Sequence, residues 1–386
     1  MTTISGRALL LSAYDAYSHR QWHNTVTAMF PDIEWTRLTL PPRHFRWRLR
    51  GNSLSWAFKH RKELTDNYDF LLCTSMTDLS ALRGFVPELA RLPTAVYFHE
   101  NQFAYPERQQ QVRSVEPQIL NLYTALCADE LVFNSHFNHQ SFLQGVADLL
   151  NRMPDAVPPD LTRRLEKTSI IPVPLPDTLY EGSRRGPGPP AHDHRPLTLV
   201  WNHRWEYDKG PERLLSLVRR LIDARLIFRL HLVGQQFRQQ PPAFDTIIRL
   251  LDGHYRDHGL TAGHCGFIED REQYLALLDD SDIVLSTADH DFQGLSVLEG
   301  VVRGCTPLAP ARLVYPEYLA PDCLYGGDGS IEKESEQAAL RILDWEPLRR
   351  AGRPLPDPRL PDFRASHLTV QYRKLLERLS CTAGIR

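Results

Sequence analysis

The chain has 386 residues, 42% of them hydrophobic and 24% charged, with a formal net charge of −2 at pH 7. That length holds about two domains of ordinary size, each able to bury its own core. The near-neutral balance excludes engagement of nucleic acid or membrane through global charge, so any nucleic-acid site has to be a local patch. Six widely spaced cysteines without a C-x-x-C point to reduced thiols in a cytoplasmic protein rather than a disulfide framework or a zinc knuckle. The apolar run near the N-terminus is too short for a signal segment and reads as a buried first strand. No stretch reaches transmembrane length, so no membrane partner is expected.

The pattern opens as strand, loop and helix, with RALLLSA (7–13) followed by HRQWHNTVTAMF (19–30). His19 and His23 lie one helical turn apart, a chelating spacing without an evident third ligand, so no metal is expected. IEWTRLTL (33–40) reads as a second strand. Residues 41–62 then concentrate Arg43, Arg46, Arg48 and Arg50 among His44, Phe45, Trp47 and Trp56, with one acid nearby, Glu63. Cations neutralise phosphates and aromatic rings stack on unpaired bases. An amphipathic helix with a solvated basic face is the plainer reading, and the two are compatible.

YDFLLCTS (68–75) is a further strand. TAVYF (94–98) runs directly into His99, Glu100, Asn101 and Gln102, followed by Tyr105 and Pro106. Polar groups just past a strand's carboxyl end are where α/β folds build sites. Residues 114–128 read as a helix, ELVFNSHFN (130–138) as a strand carrying Asn134, and 139–167 as helical with an interruption at MPDAVPPD. TSIIPVPLP (168–176) completes this half. Residues 181–196 are rich in Pro and Gly and read as a linker.

After the linker the alternation restarts. The strand 196–203 leads through Arg204, Lys209 and Gly210 to a helix with Pro211 in its first turn. Strands follow at 225–237, 264–268 and 282–287, with helices between them; His254 and His258 read as helix-end residues rather than ligands. CTPLAP is the last strand, and 363–379 is a final amphipathic helix. Two such repeats joined by a linker predict an α/β protein of two Rossmann-like domains facing each other across a cleft. The expected division is 1–180, the linker 181–196, then 197–355, with 356–386 packing back on the first domain.

HDFQGLSVLEGVVRG (290–304) carries the most telling pattern. Stepping 100° per residue from Leu295 puts Leu295, Leu298 and Val302 on one face with Glu299 among them. A carboxylate carried inward requires a partner that offers hydrogen bonds or positive charge. Arg204 and Lys209 bracket one helix N-terminus, and the Gly294–Leu295 turn opens another; both suit a diphosphate. Glu299 would then receive a ribose diol, and Asp291 hydroxyls beyond the diphosphate. Two carboxylates and two cations around one phosphate turn describe a nucleotide-sugar.

The stretch 291–299 resembles the E-x7-E motif of retaining GT-B glycosyltransferases of family four. The flanking DREQYLALLDDSDIVLST and RGCTPLAP, and Arg204 with Lys209-Gly210, are similar to the same family. SAYDAYSHRQW, PPRHFRWRLR, FHENQFAYP and VFNSHFN resemble the tRNA-queuosine α-mannosyltransferases. The resemblance implies the GT-B fold and transfer of mannose from GDP-mannose to queuosine in the anticodon of tRNA(Asp). It implies His99, Asp291 and Glu299 as catalytic residues, and Arg204, Lys209, Gly294, Leu295 and Glu299 as donor ligands. The base would meet Gly266, Phe267 and Ile268. The acceptor tRNA would meet Ser18, His19, Glu100, Asn101, Gln102 and Asn134, with Arg43, Arg46, Trp47, Arg48 and Arg50 from the basic segment. No cofactor or metal is implied. The chain departs from the pattern twice: Asp291 stands where Glu is usual, and Tyr14-Asp15-Ala16-Tyr17 fills a loop that usually bears glycine. Two alternatives stay open: the same fold acting on a glycan or small molecule, and a nucleotide-sugar- or RNA-binding protein without turnover.

Overall fold

The computed structural model describes residues 4–105, 114–154, 160–165, 167–182, 195–327 and 329–383. Most of the expected linker (183–194), Pro106 and the centre of MPDAVPPD lie outside the described residues.

Two compact units form. The first joins Met1–Pro176 to Asp362–Arg386, and the second is Asp177–Pro361. The first unit holds one parallel sheet of β1 (Gly6–Ser12), β2 (Ile33–Thr39), β3 (Phe70–Thr74), β4 (Thr94–Phe98), β5 (Glu130–Phe133) and β6 (Thr168–Ile170). Their order is β2-β1-β3-β4-β5-β6. The second holds β7 (Leu197–Asn202), β8 (Phe228–Val233), β9 (Cys265–Gly266), β10 (Ile283–Leu285), β11 (Thr306–Pro310) and β12 (Leu324–Tyr325), in the order β12-β11-β10-β7-β8-β9. All these pairings are parallel. Every residue of β3, β4, β7 and β11 is buried, which is why these strands read as apolar runs rather than alternations. Chain order reverses between β1 and β3 in one sheet and between β7 and β10 in the other. Crevices at the carboxyl ends of such strand pairs are where open α/β sheets bind ligands.

The last helix, Ala365–Ala383, belongs to the first unit. It buries Leu368, Tyr372, Leu375 and Leu379, an i, i+4, i+7, i+11 stripe. Trp22 Nε1 donates to Tyr372 Oη at 3.0 Å, and Arg378 pairs with Glu130 at 3.1 Å. At the boundary, Arg303 donates to the carbonyls of Leu179 (3.2 Å) and Glu181 (2.8 Å) while also binding Asp279. Those bonds hold residues 179–181 in the second unit, so the division falls at Pro176 rather than 180.

Several element ends differ from the sequence reading. β5 stops at Phe133 because Ser135 caps a helix from His136, its hydroxyl accepting from Asn138 N at 3.1 Å. β9 has two residues rather than five. Residues Phe45–Lys59 are a helix. A 20-residue helix, Ile331–Arg350, has no counterpart in the sequence reading; its Glu334 is buried and held by Arg213 (2.5 Å) and Arg312 (2.7 Å).

Candidate active site

In the second unit the loops after β7 and β10 meet at the switch point. Asn202 ends β7 and donates to Tyr274 Oη (2.9 Å) and Ser296 O (2.8 Å). The chain then makes a short turn, Tyr207–Lys209, and enters the helix Pro211–Asp223 through Gly210, at φ 65°. A Cβ on Gly210 would lie 1.9 Å from Thr287 O, so only glycine allows the two loops to close on each other. Thr287 Oγ1 donates to Lys209 O, and the Asp289 and His290 amides donate to Asp208 O.

This closure buries Lys209. Its Nζ donates to His290 O at 2.7 Å and lies 3.5 Å from Asp208 Oδ2 and 3.7 Å from Asp291 Oδ2. Arg204 is more exposed and pairs with Glu206 at 2.6 Å and Asp208 at 3.7 Å. Burial pushes the Asp291 carboxyl up, but Lys209, His203 and the Tyr315 hydroxyl outweigh it and hold the group below the usual carboxylate range. His203 Nδ1 lies 3.3 Å from Ser296 Oγ. Burial pushes His203 down to about 4, so it is neutral near pH 7.

The β10 loop enters the helix Leu295–Val302 through Gly294, at φ 66°. A Cβ there would meet Tyr318 Oη at 2.9 Å and Tyr315 Cε1 at 3.0 Å. Asp291 and Glu299 are therefore brought to one switch point, on either side of a helix start. The inward placement of Glu299 read from its helical angle agrees with its 4% exposure. The buried set is Val297, Leu298, Glu299 and Gly300, with Leu295 only partly buried. Sequence reasoning missed the partners of Glu299: Arg271 Nη2 at 2.7 Å and Tyr274 Oη at 2.9 Å. Gly266–Ile268 run into the turn before the helix that carries both, with Phe267 largely exposed.

The first unit gathers a histidine cluster at the ends of β1 and β4. His99 and His19 stack at 4.1 Å, Trp22 sits edge-on to His99 at 4.9 Å, and Tyr97 lies 4.7 Å away. Both histidines are buried, and His99 Nε2 has no hydrogen-bond partner among the described residues. Burial, with His19 and His23 adding to it, holds His99 well below the usual histidine range. Asp15 accepts from Ser12 Oγ (3.1 Å), meets His23 Nε2 (3.0 Å) and pairs with Arg20 (3.3 Å). This carboxylate is what fills the loop where glycine was expected. His23 is thereby committed to Asp15, and among the described residues no group of three or more His, Cys, Asp or Glu is arranged to hold a metal.

The other expected acceptor residues are placed as follows. Asn101 is fully buried; its Nδ2 donates to Asn138 and Ser141, and its Oδ1 accepts from the Phe103 and Ala104 amides. Asn134 donates to His99 O at 2.9 Å and accepts from Asn138 at 2.8 Å. Both shape the loop that carries His99. His19 is likewise interior, 3.7 Å from the partly exposed Glu100 carboxylate. Ser18 and Gln102 are partly exposed.

The basic segment splits in two. Arg48 is buried and donates to Pro41 O at 3.3 Å. Arg50 is held by Asp78 (3.1 Å) and Glu116 (2.9 Å). Arg48 is committed to the protein itself, whereas the Arg50 side chain remains half-exposed beside its two carboxylates. Arg43, Arg46 and Trp47 are exposed, and the Trp47 ring lies against Gly51, where a Cβ would approach it to 2.3 Å.

The chain matches the family model described as tRNA-queuosine alpha-mannosyltransferase N-terminal over residues 7–175. It is 30% identical over 338 residues to a tRNA-queuosine alpha-mannosyltransferase of Drosophila melanogaster, covering 86% of this chain and 87% of that one. Sucrose-phosphate synthase of Thermosynechococcus elongatus has a TM-score of 0.64 to this chain, covering 97% of it and 99% of its own length at 14% identity. HepE of Anabaena, solved with UDP and glucose, gives 0.63 over 97% and 100% at 14% identity. Identities that low speak to the fold alone, and it is GT-B. The chain belongs to the tRNA-queuosine alpha-mannosyltransferase family, as a glycosyltransferase of the GT-B fold.

Proposed function

We propose that the protein transfers mannose from GDP-mannose to queuosine in the anticodon of tRNA(Asp), with retention of configuration, in the cytoplasm. Family membership supports the sugar and the acceptor. The observation that carries the donor site is the Lys209–Asp291 pair, 3.7 Å apart beside the helix start at Gly294.

In this reading the diphosphate lies at the Gly294–Leu295 amides, with Arg204 and Lys209 beside it. Negative charge builds on the leaving diphosphate as the glycosidic bond breaks. A preorganised cation in a water-poor site stabilises that charge more than it stabilises the ground state. Lys209 is preorganised by His290 O and two carboxylates, whereas Arg204 has to turn from Glu206. These cations perform the electrostatic work, so activity persists in EDTA. Asp291 receives hydroxyls of the sugar, and Glu299 the ribose diol. Gly266–Ile268 offer backbone groups to the base. The neutral His99 is a hydrogen-bonding group for the substrate, and no protein nucleophile is assigned. Arg43, Arg46 and Trp47 contact the tRNA.

Release of GDP from GDP-mannose tests the reading. It is expected only when queuosine-containing tRNA is present; release driven equally by tRNA lacking queuosine would sink the acceptor assignment.

A further inference from the structure

We propose that Tyr315 is a positioning residue for the donor sugar, matched to the short arm of Asp291. The inference rests on the donor reading above. Tyr315 is fully buried, and its hydroxyl donates to Asp291 Oδ2 at 2.8 Å. The same hydroxyl lies 2.6 Å from Ser286 Oγ, which accepts from the Ala288 amide at 3.3 Å. A phenol carries one proton. With that proton on Asp291, the Ser286 hydroxyl donates to Tyr315, and a one-way chain runs from a backbone amide past β10 to the carboxylate.

Tyr315 and Lys209 both meet the Asp291 carboxylate at Oδ2. That fixes the torsion of the side chain and leaves Oδ1 to accept from a ligand hydroxyl. An aspartate arm is one methylene shorter than the glutamate usual at this position, so its reach depends on where the loop is held. The loop is held by the short helix Tyr315–Tyr318: Tyr318 Oη donates to Gln293 O at 2.8 Å, and both rings occupy the space a Gly294 side chain would need. Tyr315 thus sets both the direction of the carboxylate and the height of the loop beneath it.

The test is calorimetric titration of wild type, Tyr315→Phe, Asp291→Asn and the double variant with GDP-mannose and with GDP alone. Tyr315→Phe is expected to weaken GDP-mannose about tenfold, the scale of one hydrogen bond to a charged group, and to leave GDP unchanged. The double variant is expected to bind GDP-mannose no more weakly than Asp291→Asn. Ser286→Ala, which interrupts the chain one step earlier, is expected to show a smaller loss of the same kind. Multiplicative effects in the double variant, or equal weakening of GDP, would mean a merely structural role and overturn the inference alone. Failure of the wild type to bind either probe would overturn the donor reading and the inference with it.

Discussion

Arg271 Nη2 donates to Glu299 Oε1 at 2.7 Å while Tyr274 Oη donates to Oε2 at 2.9 Å, so both oxygens of a buried carboxylate are already aimed. Tyr274 in turn accepts from Asn202 at the end of β7. That carboxylate is therefore oriented both by the helix that carries its partners and by a strand end. Arg271→Ala leaves Glu299 buried without its charge partner. Because the guanidinium is partly exposed, the stability loss is about 1–2 kcal/mol, below that of a fully buried pair. The donor KM rises about tenfold. Urea denaturation and initial rates check this; unchanged stability would mean that Tyr274 alone supports the carboxylate.

Lys209 and Arg204 are expected to separate. Lys209→Met strands Asp208 and Asp291 in the interior, so it costs about 3 kcal/mol of stability and about 100-fold in kcat. Arg204→Met removes a half-exposed group, so it lowers kcat with little change in denaturation midpoint. Equal stability losses in the two variants would contradict the burial argument.

Acid is expected to destabilise the fold before the carboxylates titrate. His203 and His231 are held near about 4 by burial, against 6.5 when unfolded, and His99 is held well below its usual range. Between those values the unfolded state binds more protons than the native state, so stability is complete above about pH 6.5 and falls as pH drops toward about 4. The slope is up to about 1.4 kcal/mol per pH unit for each histidine. His231 Nδ1 accepts from the His264 amide at 2.9 Å, a bond that needs a neutral ring. His231→Asn should reduce the slope by one proton, as read from denaturation midpoints across this range. A flat profile would show that the histidines remain charged on folding.

On the basic segment, charge reversal of Arg43 and Arg46 is expected to raise the KM for tRNA about tenfold or more and to flatten its salt dependence. A phosphate that no arginine neutralises keeps its condensed counterion, so fewer ions are released on binding. Arg50→Glu is expected to lower stability first, because it faces Asp78 and Glu116. A tRNA KM insensitive to Arg43 and Arg46 would move the interface elsewhere.

The strands were legible because parallel, doubly covered strands leave continuous apolar runs, as in Phe70–Thr74 and Thr94–Phe98. The helix starts at Pro211 and Gly294 were legible because only particular residues fit them. Glu299 was legible as interior from its angle on the helix. Its partners were not, because Arg271 and Tyr274 lie more than twenty positions away and reach it only through the packing of two helices. The same limit explains Asn101, Asn134 and Arg48, polar residues that look available in one dimension and are consumed by neighbours in three. The helix Ile331–Arg350 escapes a sequence reading because its polar start hides Glu334, whose burial depends on two distant arginines.

The central claim is tested most directly by incubating the protein with GDP-mannose and queuosine-containing tRNA(Asp) in EDTA, digesting the tRNA to nucleosides and weighing them. The account predicts that queuosine gains the mass of one hexose residue. Unmodified queuosine with GDP-mannose, or a hexose gained only from a UDP-linked donor, would contradict it.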